Sequence, residues 1–149
     1  MHFKSLSFIV FSLFILAGCG KDGCKDPAAT NYDPDAKNDD GSCVYPTAKL
    51  KIHSPSNNAM FSLGDTVHIH AVATHNEMLH GWNIHLVNTS SGDTVLFKHA
   101  HEHGTTLNIH HNWVNDVTQH SDMKLTIEVM LDHGGNEIYR TVNFHCHPM

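Results

Sequence analysis

Short runs in which apolar and polar residues alternate recur along residues 48–149. Because side chains alternate between the two faces of a β-strand, this period of two predicts strands with one buried face. Seven runs predict seven strands, over residues 50–53, 67–71, 82–86, 94–97, 107–109, 125–131 and 142–144. Turn-forming residues such as Gly64-Asp65 and Gly92-Asp93 separate the runs, and no stretch shows the 3.6-residue period of a helix.

Seven strands in a segment of this length predict one all-β domain, an immunoglobulin-like β-sandwich over residues 48–149. Trp82, on the third run, is the predicted core aromatic, and Trp113 is assigned to a crossover loop. The order of Pro55, Gly64-Asp65 and Trp82 resembles that of Ig-like modules in bacterial surface proteins, but without the antibody disulfide the resemblance concerns architecture only. The layout also resembles a small, uncharacterised, histidine-rich family of bacterial envelope lipoproteins, which implies no activity.

Residues 1–18 have the pattern of a secretory signal. One basic residue, Lys4, precedes the apolar run 8–16, which is too short to span a bilayer. The end of the segment, Leu16-Ala17-Gly18-Cys19, resembles the lipobox of bacterial lipoproteins. The resemblance implies that Cys19 is lipidated. The next residues, Gly20-Lys21-Asp22, loosely resemble the export signal of surface lipoproteins in some Gram-negative bacteria, which implies an outer-membrane location facing the periplasm or the cell surface. A soluble secreted protein is the alternative.

Residues 19–47 are rich in Asp, Asn, Gly and Pro and poor in aliphatic residues, so they predict a tether without a core of its own. The motifs Gly23-Cys24-Lys25-Asp26-Pro27 and Asp39-Asp40-Gly41-Ser42-Cys43 closely resemble a short repeat of bacterial surface proteins, itself distantly similar to thrombospondin type 3 calcium repeats. In an oxidising envelope, the resemblance implies a disulfide between Cys24 and Cys43. The candidate calcium ligands are Asp33, Asp35, Asp39 and Asp40, although the EF-hand spacing is missing. A stapled polar spacer is the alternative.

The charge balance excludes one class of partner. Without residues 1–18 the chain carries eight Lys and Arg against fifteen Asp and Glu, a net charge of −7. Nucleic-acid binding requires a basic surface, so we predict no nucleic-acid partner. Protonating the remaining fifteen histidines would bring the net charge to +8, which predicts a change of charge character near pH ~6.5.

Histidine is the candidate metal-binding residue, and the chain has 16 histidines in 149 residues. His99, His101 and His103 have a period of two, and imidazole is a common ligand of zinc and copper. In an Ig-like topology the turns after the second, fourth and sixth strands meet at one end of the sandwich. The first predicted metal site therefore comprises His75, His80, His99, His101, His103 and His133, with Glu77 nearby.

The sequence predicts a second cluster at the opposite end of the sandwich and a third cluster on the outer faces of the strands. The second cluster comprises His111, His120, His145 and His147, with His53 as a further candidate. Cys146 either joins that cluster or packs inward. His68, His70 and His110 would pair across the second and fifth strands if these are neighbours.

The predicted function is a lipid-anchored, extracytoplasmic module that binds zinc or copper for capture or buffering, with another envelope protein as a further candidate partner. The alternative is an Ig-like adhesion or accessory module whose histidines respond to pH without a specific metal site. We do not predict an enzyme, because the Gly-x-Ser-x-Gly, His-Glu-x-x-His and P-loop motifs are missing from the sequence. A metal-dependent activity is the remaining alternative.

Overall fold

A computed structural model describes residues 20–148 and divides the chain into two compact units, one ending at Tyr45 and one beginning at Pro46. The predicted signal segment 1–18 and the predicted lipidation site Cys19 lie outside the described residues and stay predictions. Within residues 20–148 the chain forms no helix with the length and apolar character needed to cross a bilayer.

The first unit is held together by a covalent bond rather than by a core. Its strands β1 (Asp22–Gly23) and β2 (Asn38–Asp39) pair in parallel. The predicted disulfide is confirmed, because Cys24 and Cys43 are bonded. Apart from Cys24, the buried apolar residues among its described residues 20–45 are two alanines, Ala29 and Ala36, too little apolar surface for a core. The disulfide therefore supplies a constraint that hydrophobic burial does not.

The second unit contains eight strands. They are β3 (Ala48–Ser54), β4 (Met60–Ser62), β5 (Thr66–Leu79), β6 (Gly81–Asn88), β7 (Thr94–Ala100), β8 (Gly104–Val114), β9 (Ser121–Met130) and β10 (Glu137–His147). Seven of them contain the seven predicted runs. The sequence did not predict β4, since three residues are too few to show alternation.

The strands form two facing sheets, ordered β3-β5-β8 and β4-β10-β9-β6-β7. All neighbours are antiparallel except β4, which pairs in parallel with β10. The predicted immunoglobulin-like β-sandwich is confirmed, and the second and fifth predicted strands, β5 and β8, are neighbours.

The core lies between the sheets and follows the alternation of the strands. At its centre Ile84 of β6 lies opposite Ile127 of β9, and both are fully buried. The prediction that Trp82 is the core aromatic is wrong in degree: Trp82 is only partly buried, and its Nε1–H donates to Glu102 Oε2 at 3.1 Å. Trp113 is the buried tryptophan, at 8% exposure. Because β8 continues to Val114, Trp113 shares the inward face with Ile109 and does not lie in a loop.

Strand pairing brings the histidine-bearing turns together at the two ends of the sandwich. At one end Leu79 pairs with Gly104, Gly81 with Met130 and Trp82 with Ala100, so the β5–β6, β7–β8 and β9–β10 turns are neighbours. At the other end Cys146 pairs with Ser121, which places the end of β10 beside the β8–β9 connection.

We expect Trp113→Ala to lower the free energy of unfolding by about 3–5 kcal/mol, the usual cost of deleting a buried tryptophan side chain. Trp82→Ala is the matched control and should cost less, because that ring is partly exposed. Urea denaturation followed by circular dichroism measures both losses. A larger loss for Trp82→Ala would contradict the assignment of Trp113 as the core aromatic.

Candidate metal-binding sites

Three histidines converge at the end of the sandwich where β10 finishes. His145 and His147 are alternate residues of β10 and so share one face of the strand, and His120 lies in the β8–β9 connection beside them. One nitrogen from each ring lies within 4.8 Å of the other two. Within residues 20–148 this His120 cluster is the one group of three His, Cys, Asp or Glu residues with spacing suited to a metal ion.

The nitrogen positions of the His120 cluster are close to those of a coordinated ion. His120 Nδ1 lies 3.4 Å from His145 Nε2 and 3.0 Å from His147 Nδ1. Tetrahedral zinc with Zn–N bonds of 2.0–2.1 Å places its ligand nitrogens about 3.3 Å apart. Two of the three nitrogen separations are therefore already close to the required one, and the third is no more than 4.8 Å.

A carboxylate fixes the orientation of one ring. Asp122 lies directly opposite His145 across the β9–β10 pair, and its Oδ1 lies 2.9 Å from His145 Nδ1. With Nδ1–H donating to this carboxylate, Nε2 carries the lone pair and faces His120. Asp122 is itself held in place, because its backbone N–H donates to Ser90 Oγ at 3.0 Å and its carbonyl accepts from Thr89.

Burial favours the neutral form of His147 and keeps sulfur out of the cluster. Desolvation lowers the pKa of His147, and the neighbouring His145 and His120 lower it further. Cys146, between the two strand histidines, points the opposite way and is fully buried as a free thiol. Burial raises the pKa of Cys146 to about 11, so the thiol stays protonated at neutral pH. Of the two alternatives for Cys146, the structure has the inward packing.

Two residues proposed for this end lie elsewhere. His111 has the same parity as the buried Ile109 and Trp113, so its ring turns towards the space between the sheets. Desolvation and the nearby Lys98 ammonium lower the pKa of His111. His53 lies on β3 with its ring stacked on His70. Neither residue belongs to the His120 cluster.

Four histidine rings pack together at the opposite end of the sandwich, in the turns that join β5–β6, β7–β8 and β9–β10. These turn-end histidines are His80, His101, His103 and His133. The His80 ring centroid lies 4.2 Å from that of His133 and 5.1 Å from that of His103. His101 and His103 bring their Nε2 atoms within 3.1 Å. Desolvation, followed by His133 and His103, lowers the pKa of His80, and Asp132 opposes the shift.

His75 and His99, assigned to this end from the sequence, do not join the four rings. The strand β5 continues through His75, which is buried at inward parity and accepts a hydrogen bond from the Glu77 backbone N–H. His99 is the neighbour of Asn83 across the β6–β7 pair, and their side chains are 2.8 Å apart. The period of two over His99, His101 and His103 does not place the three on one strand, because β7 ends at Ala100 and His101 and His103 belong to a turn.

A third group lies on the outer face of the smaller sheet. The rings of His53, His70 and His110 stack across β3, β5 and β8, with centroid separations of 4.9 and 4.2 Å and interplanar angles of 21° and 12°. His68, predicted as a member, instead contacts Asn112 Oδ1 through Nδ1 at 2.8 Å. In a parallel stack the lone pairs lie in the ring planes and do not converge, so this histidine stack has the wrong geometry for chelation.

The calcium hypothesis gains no support from the tether. Asp33 pairs with Lys21 at 2.6 Å. The carboxylates of Asp33, Asp39 and Asp40 each accept the backbone N–H two residues ahead, which is the geometry of Asx turns. These carboxylates stabilise turns locally and, with Asp35, form no group of the kind seen around His120.

Comparison with known proteins identifies no family. No family model matches the chain. A stretch of 24 residues is 75% identical to chloroplastic ribulose bisphosphate carboxylase/oxygenase activase 1 of Larrea tridentata, covering 16% of this chain and 5% of that protein. A similar stretch of 23 residues is 70% identical to the Spinacia oleracea activase, covering 15% and 5%. The chain thus spans 5% of the length of these curated proteins.

One solved structure, from a study of glycolipid glycan hydrolysis by a family 123 glycoside hydrolase of Clostridium perfringens, is similar over 69% of this chain and 27% of that chain. The sequence identity is 12% and the TM-score is 0.36, and a likeness at this level carries no argument about function.

We expect the histidine stack to make folding sensitive to acid. Desolvation, followed by His110 and His53, lowers the pKa of His70. Between this lowered value and the unfolded value near 6.5 the unfolded chain binds more protons, so stability falls as pH falls through that window. The urea midpoint should be lower at pH 5.5 than at pH 7.5, and His70→Asn should reduce the difference. His68→Asn removes a histidine from the same strand face without touching the stack, and an equal reduction there would contradict the role of stacking.

Proposed function

We propose that this protein is an extracytoplasmic module that binds a divalent transition metal, zinc or copper, and that it binds without catalysing a reaction. The observation that carries the proposal is the His120 cluster, in which three imidazole nitrogens lie within 4.8 Å of one another. Neutral imidazole suits both metals, and the Asp122–His145 contact is of the kind that orients metal ligands in proteins.

The coordination of the site favours capture or buffering with release. Three protein ligands leave the fourth tetrahedral position of zinc open to water or to an incoming ligand. His120 is exposed, and it lines a polar groove with Asp116, Gln119 and Ser121. An ion at this site would be reachable from solvent, so it can exchange with another envelope protein.

The location is proposed together with the function. We propose that the chain is an outer-membrane lipoprotein anchored through Cys19, with the disulfide-closed segment as a spacer. The Cys24–Cys43 disulfide supports this location, because disulfides persist in oxidising compartments. In this location the module would bind metal outside the cytoplasm.

A second candidate function is favoured by the histidine stack. Three parallel imidazoles on an outer sheet face, unsuited to chelation, would repel one another when protonated and so alter that surface with pH. An accessory module of this kind would bind its partner in an acid-dependent manner without metal. Partner binding unaffected by chelators would favour it over the metal module.

Calorimetric titration of the full chain, purified in mild detergent without a histidine tag, tests the proposal. We expect saturable binding of Zn²⁺ or Cu²⁺ at pH 7.5, with sub-micromolar affinity, and loss of that affinity at pH 5.5, because protons compete for the ligands. The double substitution His145→Asn with His147→Asn should remove the equivalent of metal that binds at the His120 cluster.

The matched control is His68→Asn with His85→Asn, which removes two strand histidines outside the His120 cluster. This variant should retain the affinity of the parent chain. Weak binding without saturation in the parent chain would overturn the proposal, as would the same loss in both double variants.

Asp122→Asn tests the orienting carboxylate without removing a ligand. We expect metal affinity to fall about 10–100-fold, the usual effect of losing a hydrogen-bond partner of a ligating histidine. Asp116→Asn is the control, because it removes a nearby exposed negative charge whose carboxylate does not contact the ligands. Equal losses in the two variants would indicate a general electrostatic effect and contradict the orienting role.

A further inference from the structure

The four turn-end histidines lie at the opposite end of the sandwich from the His120 cluster and take no part in the proposed function. They come from three separate turns: His80 joins β5 to β6, His101 and His103 join β7 to β8, and His133 joins β9 to β10. Histidines from three turns meet here only because the fold brings those turns together.

Backbone contacts hold these turns in position. Gly81 has φ +141°, and a Cβ at this residue would lie 2.5 Å from the Ala100 carbonyl oxygen and 3.4 Å from His101 Cα. Only glycine allows so close an approach, so the β5–β6 turn packs directly against the start of the β7–β8 turn. The His80 backbone N–H donates to Met130 O at 2.9 Å, which links the same turn to the end of β9.

The third turn is also held by its own hydrogen bonds. Asp132 accepts from the backbone N–H of Gly134 at 2.7 Å and of Asn136 at 3.1 Å. Leu131 N–H donates to the Asn136 carbonyl and closes the turn. The backbone carrying His133 is therefore fixed beside His80, and the side-chain torsions are left to adjust.

The rings show both a partly formed ligand pair and a polar atom without a partner. His101 Nε2 and His103 Nε2 face each other at 3.1 Å, close to the nitrogen separation of about 3.3 Å in tetrahedral zinc sites. His80 Nδ1 is buried and makes no hydrogen bond, a situation that ordinarily costs about 1–3 kcal/mol. Metal coordination by this ring, with the Asp132 carboxylate close by, would give it a partner.

We propose that His80, His101, His103 and His133 form a second transition-metal site, which takes Zn²⁺ or Cu²⁺ through imidazole nitrogens. The His101–His103 pair already has a nitrogen separation suited to two ligands of one ion, and rotation of the four rings would direct their nitrogens at it. This proposal goes beyond the first site and does not depend on it, because the two sites share no residue. A bound ion would also cross-link three turns and so stabilise the fold.

Zn²⁺ titration of the full chain in detergent, with site-directed variants, separates the two sites. The parent chain should bind two equivalents. His101→Asn with His103→Asn should leave one equivalent, and these rings are exposed, so the variant should fold as the parent does by circular dichroism. His120→Asn with His147→Asn should leave the other equivalent. In the variant that lacks His120 and His147, the further substitution His133→Asn should weaken Zn²⁺ binding at least about tenfold. Losing even a hydrogen-bond partner of a metal ligand has an effect of that size.

His99→Asn is the matched control, since His99 is next to the turn but contacts Asn83, and it should bind two equivalents. One equivalent that is abolished by the His120 and His147 substitutions and unchanged by those at His101 and His103 would overturn the second site alone. One equivalent that is abolished by the substitutions at His101 and His103 and unchanged by those at His120 and His147 would support the second site and overturn the first. Binding without saturation in the parent chain would overturn both.

Discussion

Ile84 pairs with Ile127 across the larger sheet, and burial of both side chains on one face fixes the alternation of each strand. Both side chains must leave water on the same face, and their neighbours along each strand must therefore point the other way. Every histidine within a strand is sorted by this rule: His75 is forced inward, and His70 and His110 are forced outward. Histidines that lie beyond the strand ends escape the rule and collect at the two ends of the sandwich, where His120 meets His145 and His147 of β10.

This sorting explains why the fold was predictable from sequence and the sites only partly so. Alternation located seven strands correctly, because burial imposes the same period on β5, β8 and β9 whatever their polar residues are. The convergence of His80 with His133 followed from topology alone. Errors arose where a strand ran further than its apolar pattern: β5 continues through His75, and β8 continues through Trp113. A polar or bulky residue at inward parity carries no local signal that the strand has not ended.

The residues that support the sites were harder to find than the ligands. The predicted strand over residues 125–131 does not include Asp122, yet Asp122 pairs with His145 across β9 and β10. Its role would have been visible once the register of that hairpin was known, because cross-strand neighbours meet side by side. Gly81 gave no sign of its packing against Ala100, since that contact depends on a turn between other strands. The residue types that bind metal can thus be recognised in a sequence. The residues that hold them in place cannot, because their contacts depend on pairing between distant segments.

The alternation of β10 has a further chemical consequence, through Cys146. One step along the strand separates two imidazoles from a thiol, and the pleat directs them to opposite faces. The imidazole face therefore lacks the thiol, which favours borderline ions over the soft ions that seek sulfur, such as monovalent copper. The enclosed thiol, kept in its protonated form, is a poor nucleophile and resists oxidants and thiol exchange. A single period-two strand thereby keeps the thiol on the opposite face from the imidazoles of the proposed metal site.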